Sequence, residues 1–331
     1  MAINPAFPGH GIFTELSVTN AINRYANYVS SNPANPQPAD NIDRFINALA
    51  DMRITNVWIH LFSRGKDRED AAGGSHAQRE QLIARLNNRG IPWAGWGYCA
   101  GHTTAADMNL IGKFKSDPKI AMKAFVLDIE PGNDIPDPDN PGHTMKDKWI
   151  PADFDALVDK ANQLMSISNL AISTWPVLQL QKDFDAPALM KRAVGKVCLF
   201  APQAYWMGYP GNPHYAFDPA HFNARKYPRD DPSAFVRLVI DSWEILNFAT
   251  PLVISGQSYW ELSDKGGSPS RETMEVKIYQ LGRKFSDWQR IIGFNWYHAG
   301  LASTEMDGSM SDDMIRYIGD AGFDAKPYKH P

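Results

Sequence analysis

Eight short runs of strand character, separated by stretches of helical character, constrain this chain more than any other feature. The runs fall at residues 11–18, 54–62, 91–98, within 123–133, and at 170–175, 196–206, 250–259 and 290–297. Helices are expected over 41–52, 75–89, 104–115, 151–168, 186–194, 232–248, 270–285 and 311–318. The clearest carries Phe154, Leu157, Val158, Ala161, Leu164 and Met165 at helical spacing. A strand followed by a crossover helix returns the chain to a parallel neighbour. Eight repeats in 331 residues predict an α/β protein with one (β/α)8 barrel over residues 9–322 and a short tail at 323–331. An open doubly wound sheet is the structural runner-up, but no G-x-G-x-x-G follows the first run. Besides the excursion at 30–40, the long connections at 131–150 and 207–230 both follow strands. They are expected to wall a cleft at the carboxyl face of the barrel.

The fourth run ends in chemistry. Ala124, Phe125, Val126 and Leu127 read as a buried strand; Asp128 and Glu130 then alternate with Ile129, and Pro131-Gly132 stops it. Side chains on a strand alternate faces, so Asp128 and Glu130 point one way while Leu127 and Ile129 point into apolar packing. In covered parallel sheets the carboxyl end of a strand is where ligands bind. The plainer reading is a strand-end turn whose acids cap the next helix. At the end of a fourth barrel strand the functional reading is preferred. One carboxylic acid protonates a leaving oxygen, and a second raises its pKa or steadies developing positive charge.

Other strand ends add polar and aromatic candidates. Gln203 and Tyr205 share a face at the end of the sixth run, and a buried polar end must find partners. Trp296 closes the eighth run and is expected to floor the pocket under a sugar ring unless it faces the helices. Gln257 and Tyr259 on the seventh run, with Glu261 beyond, Glu15 on the first, Trp96 and Tyr98 on the third, and Trp175 on the fifth complete the set. Ten Trp and 12 Tyr supply aromatic platforms suited to apolar sugar faces, although core packing explains any single one equally well.

Composition narrows the partners. Lys and Arg number 33 against 37 Asp and Glu, without a basic block, so nucleic acid and anionic membrane surfaces are not expected partners. Nothing approaches the length of a membrane span. Two cysteines in different strands do not indicate a disulfide framework. The start, MAINPAFPGHGIF, lacks the pattern of a classical signal peptide, so cytoplasmic synthesis is expected. The nine histidines, His10, His60, His102, His214 and His298 among them, form no H-x-H or H-E-x-x-H, so neither a metal nor another cofactor is expected.

With these residues in view, the chain resembles barrel glycoside hydrolases that act on N-acetylated sugars. VLDIEP looks like the D-x-E of family 18 chitinases and endo-N-acetylglucosaminidases, and equally that of family 25 lysozymes. The family 18 likeness implies that Glu130 is the acid and that Asp128 orients a substrate acetamide, which itself attacks the anomeric carbon. It implies further that Tyr205 bonds that acetamide and Trp296 lies under the ring. The chain departs from both patterns: Ala124 and Phe125 stand where family 18 has further acids, and Gly11-Ile12-Phe13 lacks the first-strand acid of family 25 unless Glu15 replaces it. The resemblance implies a retaining glycosidase of the peptidoglycan or chitin type. The alternatives are a non-catalytic glycan-binding or structural barrel, such as part of a phage virion, and a barrel lyase or phosphodiesterase.

Overall fold

The structure is a computed structural model. It describes residues 2–14, 16–181, 185–205, 232–257, 260–261, 290–297, 306–307 and 312–321, without the side chains of 232–235, 257, 260–261, 306–307, 312–314, 317 and 321. Eight parallel strands form the barrel: β1 (Gly9–Phe13), β2 (Asn56–Ser63), β3 (Trp93–Cys99), β4 (Phe125–Ile129), β5 (Leu170–Thr174), β6 (Leu199–Ala204), β7 (Leu252–Gln257) and β8 (Ile291–Tyr297). Each pairs with its successor, and β1 pairs with both β8 and β2, which closes the sheet. Closure leaves no strand edge on the barrel.

Strand alternation sorts side chains into two layers. Phe13, Trp58, Ala94, Trp96, Val126, Ala171, Leu199, Ala201, Val253 and Ile292 pack together inside the barrel. Ile12, Val57, Ile59, Phe125, Leu127, Ile129, Ile172, Phe200, Ile254 and Phe294 pack outward under the helices. The outer layer is bulky, so β3 gives way to it: a Cβ on Gly97 would lie 2.6 Å from the Phe62 ring. The register of β2 shifts between His60 and Phe62. That bulge turns Phe62 into the outer layer, where it joins Leu61.

The helices include α1 (Val18–Arg24), α2 (Asn41–Asp51), α3 (Arg68–Ala72), α4 (His76–Asn88), α5 (Thr104–Ser116), α6 (Pro151–Met165), α7 (Ala186–Ala193), α8 (Pro232–Ile245) and α9 (Asp312–Ala321). None of the described helices is long and apolar enough to cross a membrane. The caps explain several starts. Asp40 accepts from the Ile42 and Asp43 amides at α2, and Ser75 accepts from Gln78 at α4. One expectation changes here. The first strand stops at Phe13, because Ser17 caps α1 and Val18 is already helical. Glu15, the 207–230 loop, the 270–285 helix and the 323–331 tail lie outside the described residues.

After β4 the chain makes a small antiparallel hairpin, Asp134–Pro136 against Thr144–Lys146. Asp147 ties it down: its backbone bonds Gly132 and Asn133, and its carboxylate accepts from the Gly101 amide and the Trp149 indole. The segment after Glu130 is thereby fixed to the segment after β3.

Candidate active site

A cleft of about 280 Å³ opens at the carboxyl end of the barrel, and Asp128 and Glu130 form its acidic wall. Both are almost entirely buried, at 6% and 9% exposure. Asp128 Oδ1 accepts from the Gln203 amide at 2.8 Å, and the same nitrogen reaches Ser173 Oγ at 3.1 Å. Glu130 Oε2 accepts from the Asn133 amide at 2.5 Å, and that amide also reaches the Tyr98 hydroxyl at 3.2 Å. Burial raises both carboxyl pKa values. Glu130 is pushed up to about 7, with the Asp147 carboxylate adding to the effect and the Gln203 and Asn133 amides opposing it. Asp128 is driven well up by burial and then by the Glu130 charge.

Aromatic side chains form much of the remaining lining. His60 stacks on Trp96 with centroids 3.6 Å apart and planes 15° from parallel. The Trp96 indole donates to the Thr14 carbonyl at 3.0 Å. Tyr98 and Tyr297 also line the cleft. Tyr205 stacks on Tyr297 at 5.2 Å, which sets it beside the cleft. Ser63, Arg64, Arg68, Asn133 and Asp134 complete the wall.

The remaining candidates are placed differently. Trp296 faces outward, not into the cleft. It is 1% exposed, sits in the outer layer with Ile12 and Phe294, and donates to His10 Nε2 at 2.6 Å. Past the register shift at Ile292, alternation along β8 puts Asn295 and Tyr297 inward, so Tyr297 holds the position expected for Trp296. Trp175 packs against the outer layer and donates to the Pro131 carbonyl at 3.0 Å, bracing the end of β4 without lining the cleft. Glu15 and Tyr259 lie outside the described residues, as do the side chains of Gln257 and Glu261, and His214 and His298. Sequence reasoning missed Asn133, Tyr297 and His60 as wall residues, and Arg64 and Arg68. Asn133 stands three places after Glu130, and Tyr297 would have followed from knowing the phase of β8.

Among the described residues, Asp67, Asp70 and His76 form a group of potential metal ligands. These groups already serve one another and a cation: Arg79 grips both Asp67 oxygens at 2.8 and 3.2 Å, and His76 bonds Asp70 at 2.6 Å.

The fold is shared with known enzymes. A class V chitinase from Pseudomonas fluorescens superposes with a TM-score of 0.54 at 11% identity, over 95% of this chain and 99% of that one. A chitinase from Chromobacterium violaceum gives 0.51 at 10%, over 95% and 98%. An endo-β-1,3-glucanase of family GH128 from Amycolatopsis mediterranei gives 0.50 at 10%, over 95% and 100%. These structural neighbours are glycoside hydrolases, and at such identities the likeness is one of fold. No protein-family model matches the chain, and no curated protein matches it.

Proposed function

We propose that the protein is a glycoside hydrolase cleaving an N-acetylated polysaccharide of the peptidoglycan or chitin type, with Glu130 as general acid. One observation carries this reading. Two buried carboxyl groups on one strand meet at the floor of an aromatic-lined cleft, and Glu130 is held at about 7, where it carries a proton yet releases it readily. Asn133 occupies Oε2, so the transferable proton belongs on Oε1. That proton passes to the glycosidic oxygen as its bond to the anomeric carbon breaks. The substrate acetamide oxygen bonds that carbon from the opposite face, and Asp128, fixed by Gln203, orients the acetamide through a hydrogen bond. Water then opens the ring so formed, with Glu130 taking back the proton, so configuration is retained. Tyr205 and Gln203 are the substrate hydrogen-bonders. Trp96, Tyr98 and Tyr297 supply the sugar platforms.

The test is Glu130→Gln, which keeps the shape and removes the proton. Turnover of chitin or peptidoglycan fragments should fall by roughly 10²–10⁴-fold while binding persists. Asp128→Asn should also impair turnover, and substrates lacking the N-acetyl group should fail. Full activity in Glu130→Gln would end this reading. A parent protein that binds glycan without ever cleaving it is instead a non-catalytic barrel.

A further inference from the structure

The cleft wall carries two arginines that the proposed reaction does not use. Arg68 opens α3, and Arg64 lies on the short connection after β2. The chain turns back there, pairing Phe62 with Asp67 and Ser63 with Lys66. The two residues of the turn are Arg64 and Gly65, with φ of +48° and +73°. Two positive φ values are the pattern of a type I′ turn, whose first position favours Asn, Asp or Gly. A long side chain in the left-handed region is disfavoured by sterics. Surrounding bonds hold it there. The Arg64 amide donates to the Tyr98 carbonyl at 2.8 Å, and the Gly65 amide donates to Asp107 Oδ1 at 2.7 Å. The outcome is a guanidinium set 5.7 Å from the centroid of the Tyr98 ring, in the cleft wall.

Arg68 follows one turn later and lines the same cleft, its Nε buried without a hydrogen-bond partner among the described residues. Neither arginine forms an ion pair with any described residue, whereas Arg79, Arg85 and Arg192 all do. The nearby Asp134 does not neutralise them, since it pairs with Lys146 at 3.0 Å. A local rule is thus broken at Arg64, whose guanidinium meets the Tyr98 ring and feels the Asp147 carboxylate but is held by no ion pair, a pattern that fits a functional constraint.

We propose that Arg64 and Arg68 form a cationic corner that binds a carboxylate carried by the glycan. This deepens the glycosidase reading and rests on it: it selects acidic N-acetylated glycans, such as those with ether-linked lactyl acids, over neutral chitin. The guanidinium fork matches a carboxylate in two parallel hydrogen bonds. Burial inclines Glu130 and Asp128 to hold protons, which lessens their repulsion of such a group.

The test compares one N-acetylated oligosaccharide bearing a free lactyl carboxylate with its methyl ester, which removes the charge at the cost of one added methyl group. Dissociation constants are measured by calorimetry in the Glu130→Gln background, and turnover in the parent. The acid should bind at least roughly tenfold tighter than the ester, the effect expected of a charged hydrogen bond. Arg64→Asn and Arg68→Gln should each bring the acid towards the ester while leaving the ester unmoved. Arg64→Asn should also raise the melting temperature, because Asn suits the turn; a merely structural arginine would not show gain in stability with loss of preference. If Arg68→Gln fails to fold, Arg68→Lys keeps the charge, loses the fork and should give a partial loss. Equal binding of acid and ester, no binding of either, or a preference that survives both substitutions would overturn the corner. A parent that binds the acid preferentially yet cleaves nothing would overturn the glycosidase reading and leave the corner standing.

Discussion

A carboxyl group buried at the mouth of a barrel destabilises the fold whenever it is charged, and Glu130 makes that measurable. Its pKa is held at about 7 in the folded chain against an ordinary 4.5. Between those values the folded protein keeps a proton that the unfolded chain has released. Stability then falls as pH rises through that window, because the native state binds more protons. Glu130→Gln removes the titration. Below pH 4.5 the parent and the variant should melt together; above pH 7 the variant should be more stable, by about 3 kcal/mol as an order of magnitude. Melting curves from pH 4 to 8 check this without any substrate, and parallel curves would show that Glu130 is not held protonated. The same proton sets activity: a general acid at about 7 loses function as pH climbs past it. Asp128 is driven upward in the same direction by burial and by Glu130, so the two acids suppress each other's charge.

At the scale of the strand, the face on which a residue sits decides whether it is chemistry or core. Trp296 and Tyr297 are neighbours on β8, one buried under the helices and one on the cleft. Trp296→Ala should cost roughly 3–5 kcal/mol of stability through the cavity it leaves. Tyr297→Ala should leave folding largely intact and weaken glycan binding. Thermal melts together with binding titrations separate the two, and the reverse pattern would sink this assignment of faces. The contrast explains what the sequence made legible. On β4 the phase was readable, because apolar residues surround the acids and only one alternation buries them; Asp128, Glu130, Leu127 and Ile129 could be assigned from pattern alone. On β8 every residue from Ile291 to Tyr297 is apolar, aromatic or Asn, so both alternations look equally good until Ile12 and Phe294 are seen against Trp296. Trp175 was misleading for another reason: it follows the last residue of β5, where alternation no longer controls direction. The turn at Arg64-Gly65 was not legible, since an arginine there violates the preference that would have marked it.

At the scale of the whole molecule, the barrel depends on a seam joining the two ends of the chain. β1 joins strands from opposite ends of the chain: Gly11 pairs with Asn295 of β8 on one side and Asn56 of β2 on the other. Both asparagines are fully buried, and the space between them exists because Gly11 has no side chain. A Cβ there would lie 1.8 Å from Asn295 Oδ1 and 2.3 Å from Asn56 Oδ1. Asn56 cannot yield easily, because its amide donates to the Pro8 carbonyl at 2.9 Å. Asn295 can be replaced more cheaply, since neither of its amide atoms has a hydrogen-bond partner among the described residues. We propose that residues 9–322 unfold as one unit held by this seam. Gly11→Ala should then lower the melting temperature of a single transition, with overpacking costing on the order of 1–3 kcal/mol or more. Asn295→Ala alone should cost little, and the double substitution should recover the part of the loss due to Asn295 while the contact with Asn56 remains, giving a favourable coupling in a double-mutant cycle. Unfolding in two separate steps, or a Gly11→Ala protein as stable as its parent, would show that the closure between β8, β1 and β2 does not hold the barrel together.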